Sequence, residues 1–399
     1  MDDSLTPTER ARVILYDAPL IDGKNDVAFK IRKLANNDLR KFNFSTNMSL
    51  VQLWKYQKTP LQTDLFRLKA GGVRAQIFAA SAGCDSQYKD AVAITLEQID
   101  VIKRLISNYS SSMMLVNNTE DIATAVEDKK IASIISIEGG HSIQSSLGIL
   151  RQYYELGVRM MTLANGCNTP WIDYSKVDHA DKTMRDLPYN QGLTKFGQDV
   201  VAEMNRLGMI IDISHTSTES MKDVLKLSEA PIVFSHSAAR NICDSEHNLN
   251  DDILELVREK NAVIMITFNS RSITCNAANA TLHHVIGNIF YYCAEHIEYI
   301  KTKASVDNIG IGSNFDGMDK DKPVKGLEDV SKFPMLFAAL VESGWDYGDL
   351  EKLAGKNFFR VFTEVEKVLF FISLSQPVIL IFMLTKPQSA LCTLIHAHK

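Results

Sequence analysis

The chain has 399 residues, of which 45% are hydrophobic and 23% are charged, and its formal net charge is -5 at pH 7. This is the balance of an ordinary globular protein with enough apolar material for a large core, so one barrel domain or two smaller domains fit the length. The mild negative charge gives no reason to expect nucleic acid as a partner.

The first residues give little sign of a secretory leader. Met1-Asp2-Asp3-Ser4 is acidic and polar, and no apolar run follows it, so we expect no signal peptide in this chain. N-x-S/T sequons make the chain a candidate glycoprotein, but they favour secretion only slightly because such tripeptides are common. They begin at Asn43, Asn47, Asn108, Asn117 and Asn279.

Short apolar runs rich in Val, Ile and Phe alternate along the chain with longer segments of helical periodicity. Several of the runs are nearly all apolar, as expected for strands buried on both faces. The predicted strands are 19–26, 73–80, 132–138, 159–165, 208–215, 231–236, 262–269 and 309–315. Predicted helices between and after them include 147–156, 195–207, 217–227, 251–260 and 349–366.

Eight strand-then-helix units predict an α/β protein built as a single (β/α)8 TIM-type barrel. An open, doubly wound sheet is the alternative, but no Gly-rich phosphate loop supports it. We also expect Thr216 and Glu219 to form a capping box that opens the helix after the fifth predicted strand.

The C-terminus departs from the globular pattern. We expect residues 1–367 to form the barrel and residues 368–399 to form an apolar tail of uncertain role. From Val368 to Leu384 the chain has no charge, but the run is short for a membrane span and Pro377 interrupts it. A glycolipid-anchor signal, a membrane-associating segment and an aberrant exon are the three interpretations of the 368–384 run.

Six cysteines are present, and none lies in a CxxC pair, so a thiolate zinc finger or a redox motif is not indicated. Their spacing alone favours buried core residues and disulfides about equally.

Polar residues stand at the C-terminal ends of otherwise apolar predicted strands. They are Asp26, Glu138, His215, His236 and Asn314. Active sites of (β/α)8 barrels lie at this end, so we expect these side chains to converge. Glu138, His215 and His236 are ligand types that zinc favours in catalytic sites, although spacing alone leaves a purely structural role equally open.

Lys24 precedes Asp26 by two residues, so both side chains leave the same face of the first strand. A His and an Asp at these positions would bind a metal together. A protonated lysine has donors but no lone pair, so Lys24 is not a ligand.

Four segments closely resemble the membrane dipeptidases, also called renal dipeptidases. They are IEGGHSIQSSLGILRQYYELGVRMMTLANGCNTPW (137–171), GLTKFGQDVVAEMNRLGMIIDISHTS (192–217), PIVFSHSAAR (231–240) and GLEDVSKFP (326–334). The resemblance covers about residues 13–367, with a modest insertion near 285–295. It implies a zinc (β/α)8 barrel that hydrolyses dipeptides with two metals bridged by a glutamate. It also implies a homodimer that is membrane-associated or extracellular.

The metal ligands implied by the resemblance are only partly retained. Glu138 falls on the bridging carboxylate, and His215 and His236 fall on the two histidines of one metal. Asp26 falls on a ligand of the other metal, but Lys24 replaces its histidine partner. We therefore expect one zinc rather than two.

Other substitutions fall on positions that handle substrate or protons in the family. Asn165, in TLANGCN, replaces a histidine that contacts the substrate and the reaction centre. His247, in DSEHN, replaces the arginine that grips the substrate carboxylate, and Ser272 lies near the position of a substrate-binding tyrosine. Asn314, in GSNFDG, replaces an aspartate beside the metals, whereas Asp316 of that motif remains.

The resemblance further implies disulfides between Cys84 and Cys167 and between Cys243 and Cys275. Cys293 and Cys392 should then be free or intermolecular.

These substitutions are grouped at metal, substrate and proton positions, which favours a catalytically impaired or inactive homologue that binds a dipeptide or small peptide. The alternative is an active one-zinc dipeptidase with altered substrate preference. We expect four polar residues that flank the site motifs to be structural, namely Asp22, His141, Asp173 and Asp316.

Overall fold

The computed structural model describes residues 4–55, 61–178, 188–275, 278–286, 296–318 and 323–375. Ten parallel-paired strands form the sheet of this part of the chain. They are β1 (Leu20–Asn25), β2 (Val73–Ser81), β3 (Met113–Leu115), β4 (Ile131–Glu138), β5 (Val158–Thr162), β6 (Ile210–Asp212), β7 (Val233–Ala239), β8 (Asn248–Leu249), β9 (Val263–Ile266) and β10 (Ile309–Ile311).

Eight of these strands close into a barrel in the order β1-β2-β4-β5-β6-β7-β9-β10, with β10 paired back to β1. Each overlaps one of the eight predicted strands, so the prediction of a single (β/α)8 barrel is confirmed. The other two were not predicted. β3 pairs with the start of β4 and β8 with the end of β7, and both are too short to show a periodic signal.

Helices surround the barrel. They are α1 (Pro7–Asp17), α2 (Val27–Ala35), α3 (Gln52–Lys55), α4 (Leu65–Ala70), α5 (Ala91–Asn108), α6 (Thr119–Glu127), α7 (Leu147–Glu155), α8 (Lys195–Leu207), α9 (Thr218–Leu227), α10 (Asp251–Glu259), α11 (Ser270–Thr274), α12 (Leu282–Ile286), α13 (His296–Lys303), α14 (Phe333–Glu342), α15 (Tyr347–Glu351) and α16 (Asn357–Ser375). A short π-helix, Lys352–Lys356, joins α15 to α16.

The expected capping box at α9 is wrong. The cap is Ser217, whose hydroxyl accepts a hydrogen bond from the backbone N–H of Ser220 at 3.3 Å. Thr216 is buried and donates its hydroxyl to the carbonyl of Ile213 at 2.8 Å, so it is not available for capping.

Alternation along β4 shows why the barrel strands are apolar on both faces. Ala132 and Ile134 belong to the cluster inside the barrel, whereas Ile135 and Ile137 belong to the larger cluster between the strands and the helices. Successive side chains of a strand point to opposite faces, so a strand between these two clusters is mostly apolar on both faces. In β4 the polar exceptions are Ser133, Ser136 and Glu138.

Both expected disulfides are present. Cys84 is bonded to Cys167, with Cα atoms 5.9 Å apart, and Cys243 is bonded to Cys275, with Cα atoms 5.4 Å apart. Cys293 and Cys392 lie outside the described residues.

The apolar C-terminal run begins inside α16 and passes beyond the described residues, which end at Ser375. In the part of the chain that is described, no helix combines the length and the apolar character that crossing a bilayer requires.

Candidate metal centre

A cavity of about 480 Å³ opens at the C-terminal ends of the barrel strands. Lys24 is almost fully buried and is not part of its lining, but all the other site residues expected from the sequence line it. They are Asp26, Glu138, Asn165, His215, His236, His247, Ser272 and Asn314. The structure therefore brings together residues that are up to 288 positions apart in the chain.

Backbone geometry at the strand ends sets the positions of these side chains. Glu138 is the last residue of β4, and it is in register with Ser81 at the end of β2 and with Thr162 at the end of β5. His215 and Asn314 adopt left-handed backbone conformations, with φ of 65° and 60°. Such φ values are uncommon for residues other than glycine, and they cluster at functional sites.

Lys24 is 1% exposed and forms ion pairs with two carboxylates. Its Nζ donates a hydrogen bond to Oδ2 of Asp26 and lies 3.2 Å from Oε2 of Glu138. Burial disfavours its charge, but the carboxylates of Asp26 and Glu138 outweigh burial and raise the pKa of Lys24. The lysine is therefore an ammonium at neutral pH.

The two carboxylates respond differently to burial. Burial favours the neutral form of Glu138, but Lys24, His215 and His236 outweigh it and hold the pKa of Glu138 well below its usual range. For Asp26 burial prevails over Lys24 and raises the pKa to about 6. Lys24 therefore stabilises the charged form of Glu138 more effectively than that of Asp26.

Glu138 and the two histidines form a compact triangle. Oε1 of Glu138 lies 3.6 Å from Nε2 of His215 and 3.6 Å from Nε2 of His236. The two Nε2 atoms are 2.7 Å apart. A point equidistant from the three atoms lies roughly 2 Å from each, which is the length of zinc–nitrogen and zinc–oxygen bonds.

The neighbours of His236 fix its tautomer. Ser235 donates its hydroxyl proton to Oδ2 of Asp212 at 2.5 Å, so the Ser235 oxygen accepts from Nδ1–H of His236 at 2.8 Å. The lone pair of His236 is therefore on Nε2 and points into the triangle. Burial, followed by the charges of His215 and Lys24, holds the pKa of His236 well below its ordinary value, which keeps the ring neutral as a metal ligand requires.

The residues of the triangle thus fit one metal ion. They supply two imidazole nitrogens and a carboxylate oxygen, and they face an open cavity in which a fourth position is accessible to water or substrate. Three protein ligands with one open position is the pattern of catalytic zinc sites.

Two other site residues have unusual surroundings. Ser272 is fully buried, and its hydroxyl has no hydrogen-bond partner among the described residues. A Cβ atom at Gly317 would lie 2.4 Å from both Oδ1 of Asn314 and Oδ2 of Asp26, so any larger residue there would displace one of these side chains.

The residues expected to be structural make structural contacts. Asp22 accepts hydrogen bonds from the backbone and hydroxyl of Ser313 at 2.8 and 2.7 Å. Asp316 accepts from the backbone of Gln62 at 2.8 Å, and Asp173 accepts from the backbone at 189–191. His141 contacts the carbonyl of Ala82 at 2.8 Å, and its neighbours Cys84 and Cys167 are oxidised, so they offer no thiolate to a metal.

Sequence reasoning missed the supporting residues of the site. Asp212 and Ser235 hold His236 in place. Glu246 lies beside His247 and accepts a hydrogen bond from Tyr174. Ser235 could have been noticed because it directly precedes a candidate ligand. Asp212, Tyr174 and Glu246 give no comparable signal in a single sequence.

A closed parallel barrel with a polar cavity at its C-terminal face and a carboxylate–histidine cluster defines the class of (β/α)8 metallohydrolase-like proteins. The family "Membrane dipeptidase (Peptidase family M19)" matches residues 8–373. The chain belongs to this family.

Two curated relatives of this chain are dipeptidases by name. The chain is 39% identical to mouse (Mus musculus) Dipeptidase 3 over 362 residues, which span 90% of this chain and 67% of the mouse protein. It is 38% identical to rat (Rattus norvegicus) Dipeptidase 3 over 391 residues, which span 98% of this chain and 73% of the rat protein.

Solved structures with the same fold are more distant in sequence. The probable dipeptidase PvdM from Pseudomonas aeruginosa has a TM-score of 0.75 at 21% identity and covers 91% of this chain and 99% of its own. A metallopeptidase from Rhodobacter sphaeroides, liganded with a phosphinate mimic of the dipeptide L-Ala-D-Ala, has a TM-score of 0.71 at 22% identity and covers 87% of this chain and 99% of its own.

Proposed function

We propose that this chain is a catalytically impaired or inactive membrane dipeptidase homologue that retains one zinc and acts by binding a dipeptide or small peptide. The observation that supports this proposal most directly is the position of Lys24. Its ammonium lies between Asp26 and Glu138, the two carboxylates that would otherwise hold a second metal.

Electrostatics makes a second zinc beside this lysine unfavourable. A divalent ion about 4 Å from an ammonium is repelled by on the order of 8 kcal/mol at an effective dielectric constant near 20. The ammonium also has no lone pair to offer. Lys24 therefore supplies positive charge at this position without any of the ligand chemistry.

The retained ligands are Glu138, His215 and His236. A zinc ion bound there supplies Lewis acidity and acidifies a bound water. The residues around it give little support for hydrolysis. Asn314 has an amide that neither takes up nor releases a proton at neutral pH, and Asn165 has no imidazole.

Substrate anchoring is also weakened. An arginine binds a carboxylate in a bidentate manner, whereas His247 is shorter and offers one nitrogen at a time. Ser272 is too short to reproduce the ring and hydroxyl of a tyrosine. The cavity of about 480 Å³ can still accommodate a dipeptide, so in this proposal the protein retains peptide binding although it has lost most or all of its hydrolytic activity.

An active one-zinc dipeptidase with altered substrate preference is the second candidate. It is supported by the three-ligand cluster with an open position and by the names of the relatives. The phosphinate ligand of the Rhodobacter sphaeroides structure agrees with a peptide as the ligand class.

The family and the disulfides support proposals about the cellular compartment and the oligomeric state of the protein. Two disulfides are typical of an oxidising compartment, which supports an extracellular or membrane-associated protein. A homodimer is proposed from the family alone. We also propose the division into a barrel at 1–367 and a tail at 368–399, with 368–384 as the candidate membrane-associating segment.

Zinc content per chain, measured together with dipeptide hydrolysis, tests the proposal. We expect one zinc, lost on His215→Ala, and hydrolysis that is absent or very slow with zinc supplied. A family member with a histidine at the position of Lys24 serves as the control. Two zincs per chain, or hydrolysis at the rate of the control, would contradict the proposal.

A further inference from the structure

The imidazole of His247 lies against His215 on the side opposite the metal cluster. Its Nδ1 is 2.8 Å from Nδ1 of His215, and the two rings are nearly perpendicular, at 85°. Its other nitrogen, Nε2, lies 3.4 Å from Oε1 of Glu246. That carboxylate oxygen also accepts a hydrogen bond from the hydroxyl of Tyr174 at 3.0 Å. Tyr174, Glu246, His247 and His215 therefore lie in one row, joined by two hydrogen-bond contacts and one ion-pair contact.

The metal site determines the direction of the hydrogen bond between the two rings. A zinc ion bound through Nε2 of His215 would leave the ring proton on Nδ1, which would donate to Nδ1 of His247 at 2.8 Å. A neutral His247 would then carry its own proton on Nε2, the nitrogen that faces Oε1 of Glu246 at 3.4 Å. His215 is left with its lone pair on Nε2, the atom that lies 2.7 Å from Nε2 of His236 and 3.6 Å from Glu138.

We propose that His247, held by Glu246, is a positioning residue that fixes His215 in the tautomer and orientation that bind metal through Nε2. This inference rests on the proposed zinc site. It gives His247 a role different from the substrate anchor expected at its position, because its Nδ1 is engaged with His215 rather than with a ligand in the cavity.

The second histidine of the cluster is held in the same manner. His236 donates from Nδ1 to Ser235, which donates to the carboxylate of Asp212. Each histidine therefore has its Nδ1 against a side chain that itself contacts a carboxylate. Such partners of metal-binding histidines set the tautomer and raise the basicity of the ligand, and their removal lowers metal affinity about 10–100-fold.

Zinc affinity, measured by competition with a chelator, tests the role of His247. His247→Phe keeps a ring and removes both nitrogens, and we expect its zinc affinity to fall about 10–100-fold. His247→Gln places an amide oxygen that can accept from Nδ1–H of His215, so it should retain most of the affinity. Glu246→Gln should lose less than His247→Phe. His283→Phe, at an exposed histidine in α12 outside the cavity lining, is the matched control and should be unchanged.

A second measurement reports on the hydrogen bond itself. In zinc-loaded protein labelled with ¹⁵N at histidine, we expect a scalar coupling between the two Nδ1 nuclei, with the proton on His215. This coupling requires a hydrogen bond between the two rings, so it would be absent if His247 only packed against His215. The proposal is overturned if the proton resides on His247, or if His247→Phe binds zinc as tightly as the parent protein. If the parent protein binds no zinc, both the zinc site and this inference are wrong. If the parent protein binds zinc tightly and His247→Phe binds it equally well, only this inference is wrong.

Discussion

The ammonium of Lys24 lies 3.2 Å from Oε2 of Glu138 and donates a hydrogen bond to Asp26 at the mouth of the barrel. Lys24 and Asp26 are at the end of β1, whereas Glu138 ends β4, and β2 lies between these two strands. The ion pair therefore ties together strands that are not neighbours. Its three charged groups are almost completely buried, so each depends on the others for compensation.

Lys24→Met should destabilise the zinc-free protein by about 3–5 kcal/mol, because it leaves two buried carboxylates without their cation. The measurement is urea unfolding in the presence of a chelator. Lys195→Met is the matched control, since the side chain of Lys195 is 80% exposed in its pair with Asp199 and such surface pairs contribute little. A Lys24→Met protein as stable as the parent would show that the ion pair has no structural importance.

Lys24→His should raise the zinc content from one to two ions per chain. The imidazole supplies a lone pair where the ammonium had none, and Oδ1 of Asp26 is buried without a hydrogen-bond partner among the described residues, so it can take up a ligand role. Elemental analysis after dialysis measures the gain. Lys24→Gln removes the charge without adding an imidazole and should stay at one zinc; two zincs in this variant would mean that repulsion alone excludes the second metal.

The barrel could be predicted because its eight strands are buried on both faces and stand out as apolar runs. The residues at which these strands end could be predicted less accurately. The run at 208–215 suggested a strand through His215, but β6 ends at Asp212 and His215 turns away with a φ of 65°. The periodicity of apolar residues does not predict such a turn. It also does not predict that the hydroxyl of Thr216 donates a hydrogen bond to the carbonyl of Ile213 instead of capping α9.

The site was predictable in its residue types and only partly in its contacts. The strand ends indicated that Glu138, His215 and His236 converge, and the family resemblance showed that Lys24 stands among them. The contact between His247 and His215 was not foreseen, because it depends on the path of the loop before β8. Loop paths are set by tertiary contacts such as the Cys243–Cys275 disulfide rather than by local sequence pattern.

The part of the stability that His296 contributes should fall with acid between pH 6.5 and about 4. This histidine is fully buried in α13, accepts from the backbone N–H of Ala239 at 3.0 Å and contacts the carbonyl of Ile273 at 2.9 Å. Burial lowers its pKa to about 4. At this residue the unfolded chain therefore binds more protons in this window, so a contribution of up to about 3 kcal/mol is present above pH 6.5 and is lost as pH falls through 4.

His296→Gln provides the test, because glutamine keeps a donor and an acceptor but does not titrate. The difference in unfolding free energy between the parent and this variant should change with pH across the window. His283→Gln, at an exposed histidine, should leave the pH profile unchanged. A constant difference between parent and His296→Gln from pH 7 to pH 4 would contradict the role of His296.

The two disulfides should stabilise the protein to different extents. Cys84–Cys167 spans 83 residues and Cys243–Cys275 spans 32. Chain entropy predicts about 4–5 kcal/mol for the longer loop and about 3–4 kcal/mol for the shorter. Paired alanine substitutions compared by chemical unfolding measure both values. A larger loss for the Cys243/Cys275 pair would mean that local packing, not loop closure, dominates.

Hydrolysis of ordinary dipeptides should be absent or very slow in the parent protein, and several reversions together should restore it. Each substitution removes a different requirement: a metal ligand, a proton-handling group or a substrate anchor. Residues that act as one catalytic unit are strongly non-additive, so single reversions should restore little and the combined set much more. The set is Lys24→His, Asn165→His, His247→Arg, Ser272→Tyr and Asn314→Asp.

The assay for this set needs zinc in excess, because His247→Arg also removes the acceptor of the His215 Nδ1–H and should weaken the retained site. A second set without His247→Arg separates the two effects, since it keeps metal affinity and lacks only the carboxylate anchor. It should show a measurable kcat with a raised KM, because the arginine acts in binding the substrate carboxylate. The unmodified chain should be compared with a family member that has a histidine at the position of Lys24. If both cleave dipeptides equally fast, the proposal of a catalytically impaired homologue is wrong, and the chain is an active one-zinc dipeptidase.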